Sequence, residues 1–299
     1  MPPVPQRQAP PTKTIANPKV KVPNVLDRIE PLGFDDEDGI QILLYGKSGT
    51  GKTTLWGTFP KPILAVICSG GRRSGELRSL DTAENRKYIK NVKLHEVQEL
   101  RTITDHILQY GEYGTVVLDH ASGFQDMALS EILGYAVPEQ KSWGLAQQQQ
   151  WGQCSARCKE LLKGFLSLRA NTVIVAQERE SKEEFDPDSM ILPSVGAGLT
   201  PSLAGWLNTA VDYICNTYIR QRVIMKKVRI KAGNTTKEVK REEAIRGEVD
   251  FCLRTAPHPI FVTKFRIPKG QQLPTQIVDP SYEKIMALIR GESPDAATE

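Results

Sequence analysis

Residues 46–53 read Gly-Lys-Ser-Gly-Thr-Gly-Lys-Thr. The Gly-x4-Gly-Lys-Thr spacing is that of a phosphate-binding P-loop, which works only between a buried strand and the helix that follows it. Both flanks have the required character. The apolar run 41–45 predicts a short strand, and 53–58 predicts the start of a helix. The glycines let backbone N–H groups turn inward around phosphates. Gly46, Lys47, Ser48, Gly49, Thr50, Gly51, Lys52, Thr53 and Thr54 are therefore the candidate nucleotide-binding residues. Lys52 is placed to reach the β- and γ-phosphates, Thr53 to offer its hydroxyl to Mg²⁺, and the start of the helix to point its positive dipole end at the anion. The expected ligand is ATP with Mg²⁺.

The remaining pattern extends this loop into a fold. Apolar β-branched runs at 62–68, 115–118 and 172–176 alternate with helical spacing at 97–110 and 153–168. Such alternation predicts an α/β fold, a mostly parallel sheet with helices on both faces. After residue 200 the runs 211–219, 223–230, 249–254 and 260–267 read as strands without long helices between them. They predict an antiparallel C-terminal strand extension. Residues 282–289 predict a final helix closed by Gly291. Three segments result: a proline-rich arm at 1–33, a core at 34–270, and a C-terminal helix and tail at 271–299. Seven of the first 23 residues are proline, so no regular structure is expected at the start of the arm.

Two polar residues end predicted strands. Asp119 follows 115–118 and is expected on a strand beside the P-loop strand, holding Mg²⁺ through water. Gln177 follows 172–176 and is expected to face the γ-phosphate, with a long loop, 178–200, after it. Lys264 and Arg266 lie two apart in a predicted strand, hence on one face. They read either as surface charge or as a finger reaching a neighbour's phosphate. Trp143, Trp151 and Trp206 read as core residues or as stacking platforms for bases. Cys154 and Cys158 alone do not make a metal site.

Net charge is only +4, but 220–246 carries ten Lys or Arg against three Glu. This stretch reads as a basic hairpin insertion, either a solvated surface or a phosphate-neutralising one. No apolar run approaches the roughly 18 residues of a membrane span, and the five cysteines are scattered. A cytoplasmic protein with reduced thiols and no membrane partner is expected.

Taken together, 42–55, 116–119, 173–177, Val211-Asp212 and Lys264-x-Arg266 resemble the phage-encoded RecA-like ATP-binding proteins of the Sak type, over roughly residues 38–290. The resemblance implies a RecA-like P-loop NTPase core acting on single-stranded DNA in recombination or replication, by annealing or strand pairing. It implies a head-to-tail homo-oligomer, ring or filament, with ATP at subunit interfaces, and a single-strand-binding protein as a further partner. Lys264 and Arg266 would then act in trans, alongside Lys52, Asp119 and Gln177 as catalytic residues, and the loops after Asp119 and Gln177 would face DNA. One departure matters. Ser69 stands where the family carries the Glu that polarises water, and serine is a poor general base. Slow hydrolysis is expected unless another carboxylate, such as Glu76 or Glu178, substitutes. The alternatives are an ATP-gated DNA-coating module with little turnover, and a helicase motor or loader.

Overall fold

The computed structural model describes residues 39–68, 74–134, 146–180, 194–232 and 235–294. The proline-rich arm, Ser69, Trp143, most of 178–200 and the end of the tail lie outside these residues. So does the side chain of Glu76.

Hydrophobic runs with no alternation form the centre of the sheet. β1 (Gln41–Gly46), β2 (Ile63–Ile67), β4 (Thr115–Asp119) and β5 (Asn171–Glu180) are buried on both faces over most of their length. A strand that reads as one apolar run belongs in a parallel sheet covered on both sides. β3 (Ile89–Lys93) is more polar and takes the edge. The order is β3-β2-β4-β5-β1-β7-β8-β9, with β7 (Tyr213–Ala232), β8 (Thr235–Arg254) and β9 (Gln276–Val278); β6 (Val195–Ala197) pairs with the outer part of β5. All pairs from β3 to β7 are parallel, whereas β7–β8 and β8–β9 are antiparallel. The fold is an α/β core, a mostly parallel sheet with helices on both faces, with an antiparallel C-terminal extension.

Alternation along each strand sends side chains to two cores. Leu43, Tyr45, Leu118, Ile174 and Ala176 meet α3 (Glu99–Tyr110), α4 (Ala121–Leu133), α5 (Gln148–Leu166) and α6 (Pro201–Ala210). Ile42, Leu44, Val117, Val173 and Val175 meet α1 (Lys52–Trp56) and α7 (Tyr282–Arg290). A short α2 (Asn85–Tyr88) leads into β3. Gly291 ends α7 with φ 84°, as its place after the apolar run predicts.

Several expectations are corrected. Asp119 is not on a strand beside the P-loop strand, because β5 lies between β4 and β1. The strand ending at Gln177 continues to Glu180, and its outer residues pair back onto β6, so the expected loop is interrupted by a ladder. No loop follows Asp119, since α4 starts two residues later with His120 as its cap. Residues 260–267 form only isolated bridges, Phe261 with Val195 and Lys264 with Ile214. The reason is competition for an edge. β8 already pairs with β7 from Asn216 onward, leaving only the first residues of β7 open. Finally, β7 joins the two parts of the sheet, parallel to β1 on one side and antiparallel to β8 on the other.

Candidate functional site

The P-loop leaves β1 at Gly46 and folds back through Gly49 and Gly51, whose φ values of 79° and 85° suit glycine. Thr50 is buried. Its hydroxyl donates to the Lys47 carbonyl at 2.8 Å and lies 2.7 Å from the Thr217 hydroxyl on β7. Lys52 opens α1, and its Nζ donates to the carbonyls of Gly46 and Lys47 at 2.8 and 2.7 Å. Burial lowers the Lys52 pKa, while the nearby Asp119 and Glu178 carboxylates act to raise it. The helix is five residues long, so its dipole adds less than the sequence suggested. The inward-turned loop amides carry most of the anion preference.

Asp119 is held from α1. The Trp56 indole N–H donates to its Oδ2 at 3.2 Å. Trp56 is fully buried, and a buried indole N–H needs an acceptor. Spacing alone does not single out Trp56, yet it fixes the candidate magnesium carboxylate against the P-loop helix. Gln177 stands opposite Gly46 in the β1–β5 register and is exposed. Ser48, Gly49, Gly51, Lys52, Thr53, Thr54, Asp119, His120, Gln177 and Phe251 line one cavity of about 460 Å³. The structure thus brings Lys52, Thr53, Asp119 and Gln177 together on the α1 side of the sheet. A Lys ammonium, a Thr hydroxyl, a carboxylate and inward loop amides are the donor set that a triphosphate with Mg²⁺ requires, and the residues fit that ligand.

Phe251, on β8, is a wall of this cavity that sequence reading missed. A Cβ on Gly51 would lie 3.1 Å from its ring. A second polar group sits near the top of β5, on the other sheet face. Glu178 accepts from Asn216 Nδ2 at 3.0 Å, and Asn216 Oδ1 accepts from Arg254 at 2.9 Å. The Arg254 guanidinium lies 3.8 Å from the Phe261 ring centroid and 4.5 Å from that of Tyr218.

Lys264 and Arg266 are not in this cavity. Lys264 Nζ donates to the carbonyls of Asn208, Thr209 and Val211, capping α6, and Arg266 pairs with Asp212 at 2.8 Å. Trp151 and Trp206 pack against the α3–α6 core, and all five cysteines are buried free thiols. Among the described residues no cluster of His, Cys, Asp or Glu resembles a metal site built from protein ligands alone. No helix among them is long and apolar enough to cross a membrane.

A family model described as an AAA domain matches residues 38–266. No curated protein matches the sequence. Among solved structures, the flagellar accessory protein FlaH from Methanocaldococcus jannaschii aligns over 84% of this chain and 92% of its own, at 13% identity and a TM-score of 0.40.

Proposed function

We infer the following for this chain, which belongs to the AAA domain family: it is an ATPase that acts on single-stranded DNA in phage recombination or replication. It would anneal or pair strands as a head-to-tail homo-oligomer with ATP at the subunit interfaces. The observation that carries the nucleotide half is the single cavity shared by the P-loop, Asp119 and Gln177. The DNA half rests on the resemblance of the motif set to Sak-type proteins and on the basic stretch 220–246.

On this reading the loop amides and Lys52 bind the β- and γ-phosphates, and Gln177 senses the γ-phosphate from the tip of β5. Thr53 and, through water, Asp119 would hold Mg²⁺, which when bound supplies positive charge to offset that of the phosphate oxygens. Trp56 keeps the Asp119 carboxylate aimed at the cavity. Lys264 and Arg266, outside their own cavity, would exchange their contacts with α6 and Asp212 for the nucleotide of a neighbouring copy. A second reading, ATP as the glue of a DNA-coating assembly with little turnover, is favoured by Ser69 at the position of the expected Glu.

Steady-state phosphate release with and without single-stranded DNA separates the two. DNA-stimulated turnover that Lys52→Ala abolishes supports the ATPase. ATP-dependent DNA binding without turnover supports the coating module. Turnover that survives Lys52→Ala removes the P-loop from the mechanism.

A further inference from the structure

The sheet face that α1 and α7 cover runs on past them. On β7 and β8 the side chains of Cys215 and Leu253 belong to the core beneath these helices. Leu253 stands opposite Thr217, and the next positions on the same face are Ile219 opposite Phe251, then Gln221 opposite Val249. Leu253 and Thr217 are buried, whereas Ile219, Phe251 and Val249 are 42%, 39% and 46% exposed. β7 pairs with β1 only through Thr217, and β9 covers β8 only at Cys252–Arg254. Outward from there the two strands pair with each other as a ribbon.

The two faces at the root of this ribbon differ in chemistry. On one, the buried Asp250 carboxylate accepts from Arg220 at 3.2 Å, so opposite charges satisfy each other. On the other, three apolar side chains stand side by side. Pairing of Ile219 with Phe251 across the strands stabilises the ribbon. It still leaves the outer surface of both in water, where cover by a flat apolar ligand is favourable.

Position identifies the ligand. Phe251 is already a wall of the nucleotide cavity, together with Gly51 and Thr54. In the sheet, β1 lies between β5 and β7. Asp119 and Gln177 therefore reach the P-loop from one side, and Thr217 and Phe251 reach it from the other. A triphosphate whose γ end is turned toward Gln177 carries its nucleoside end the opposite way, over β7 and β8. The apolar surface and aromatic ring found there suit the flat face of a base and nothing in a phosphate chain.

We propose that Phe251, Ile219 and Val249 form the platform for the base of the bound nucleotide, with Phe251 stacked against it. The inference rests on the nucleotide half of the function proposed above and adds the part of the ligand that the P-loop does not hold. Stacking favours the base with the larger π-face, so the platform selects purine over pyrimidine triphosphates.

The test uses the full chain with Mg²⁺ and three ligands that share the phosphate chain: ATP, CTP and inorganic tripolyphosphate. Titration calorimetry gives each affinity for wild type, F251A, I219S and F251W, and urea unfolding checks that each variant is folded. Wild type should bind ATP about tenfold more tightly than tripolyphosphate and about threefold more tightly than CTP. F251A should lose most of that tenfold for ATP and keep its affinity for tripolyphosphate. I219S, at an exposed position, should lose about threefold for ATP alone. F251W keeps a ring and should bind ATP at least as tightly as wild type; the indole it introduces should change emission with ATP but not with tripolyphosphate. A wild type that binds all three ligands alike overturns the platform and leaves the P-loop reading standing. Equal losses for ATP and tripolyphosphate in F251A and I219S make this face a support of the P-loop and overturn the platform. Variants that keep wild-type affinities and change only in self-association give the face to a second copy and overturn it too. A folded wild type that binds none of the three overturns the nucleotide reading as well.

Discussion

Asp126 gives a quantitative test of the packing around the site. It lies on α4, the helix that begins two residues after Asp119, and burial pushes its carboxyl from the ordinary 3.8 up to about 6. The sign follows from proton counting. Between these two values the folded state holds more protons than the unfolded state, so stability falls as pH rises through the window. The full penalty is present above pH 6 and absent below about 3.8. Each pH unit is worth about 1.4 kcal/mol, which sets a ceiling on the order of 3 kcal/mol. Asp126 is only partly buried, and solvent screening reduces this to about 1–2 kcal/mol. Asp126→Asn keeps the shape and removes the charge. Urea unfolding of both proteins across pH 4–8 should give similar midpoints near pH 4 and a variant more stable by about 1–2 kcal/mol at pH 8. Parallel profiles, or a variant no more stable at pH 8, would refute the burial argument. The experiment also guards the mechanism, because an acid limb near pH 6 in phosphate release that vanishes in this variant belongs to α4 and not to the nucleotide site.

Two further substitutions probe the sheet beneath the P-loop. Gly46→Ala would put a Cβ 2.3 Å from the Thr217 carbonyl, which the β1–β7 ladder holds in place; thermal unfolding should show a loss of about 1–3 kcal/mol, with weaker binding of the ATP analogue, and wild-type stability would mean that the strands are not this close. The Thr172 hydroxyl is buried in β5 and lacks a hydrogen-bond partner among the described residues. Thr172→Val should therefore gain about 1 kcal/mol, read as a rise of about 2–4 °C in Tm, and a fall in Tm would show that the hydroxyl is satisfied.

What the sequence disclosed is what is local. Glycine spacing defines the P-loop because a backbone that wraps phosphates needs particular φ values at particular residues, and Gly49 and Gly51 take them. The runs that form β1, β2, β4 and β5 were legible because strands buried on both faces can hold almost nothing polar. Asp119 and Gln177 stood out as polar residues closing such runs. Strand order was not legible, since nothing within a strand says which neighbour it pairs with, and so β5 was not foreseen between Asp119 and the P-loop. The segment 260–267 has the composition of a strand, yet composition cannot register that β8 has already taken most of the free edge of β7. Lys264 and Arg266 consequently stand in a bridged, irregular segment. Trp56 was overlooked for a related reason. Its role depends on Asp119 arriving from another strand to meet a buried N–H, a contact that a separation of 63 residues hides.

The ribbon shows where periodicity fails in the other direction. Burial imprints alternation on a strand, but 223–244 has too little apolar content to bury a face, so its ladder is held by backbone pairing with a partner of equal length. Its sequence could equally be read as a charged loop. The root of the ribbon is a different matter: Thr217 of β7 meets Thr50 and Phe251 of β8 lies against Gly51, so the loop shaped for phosphate touches both strands where they leave the sheet, a pair of contacts that neither strand's own sequence discloses.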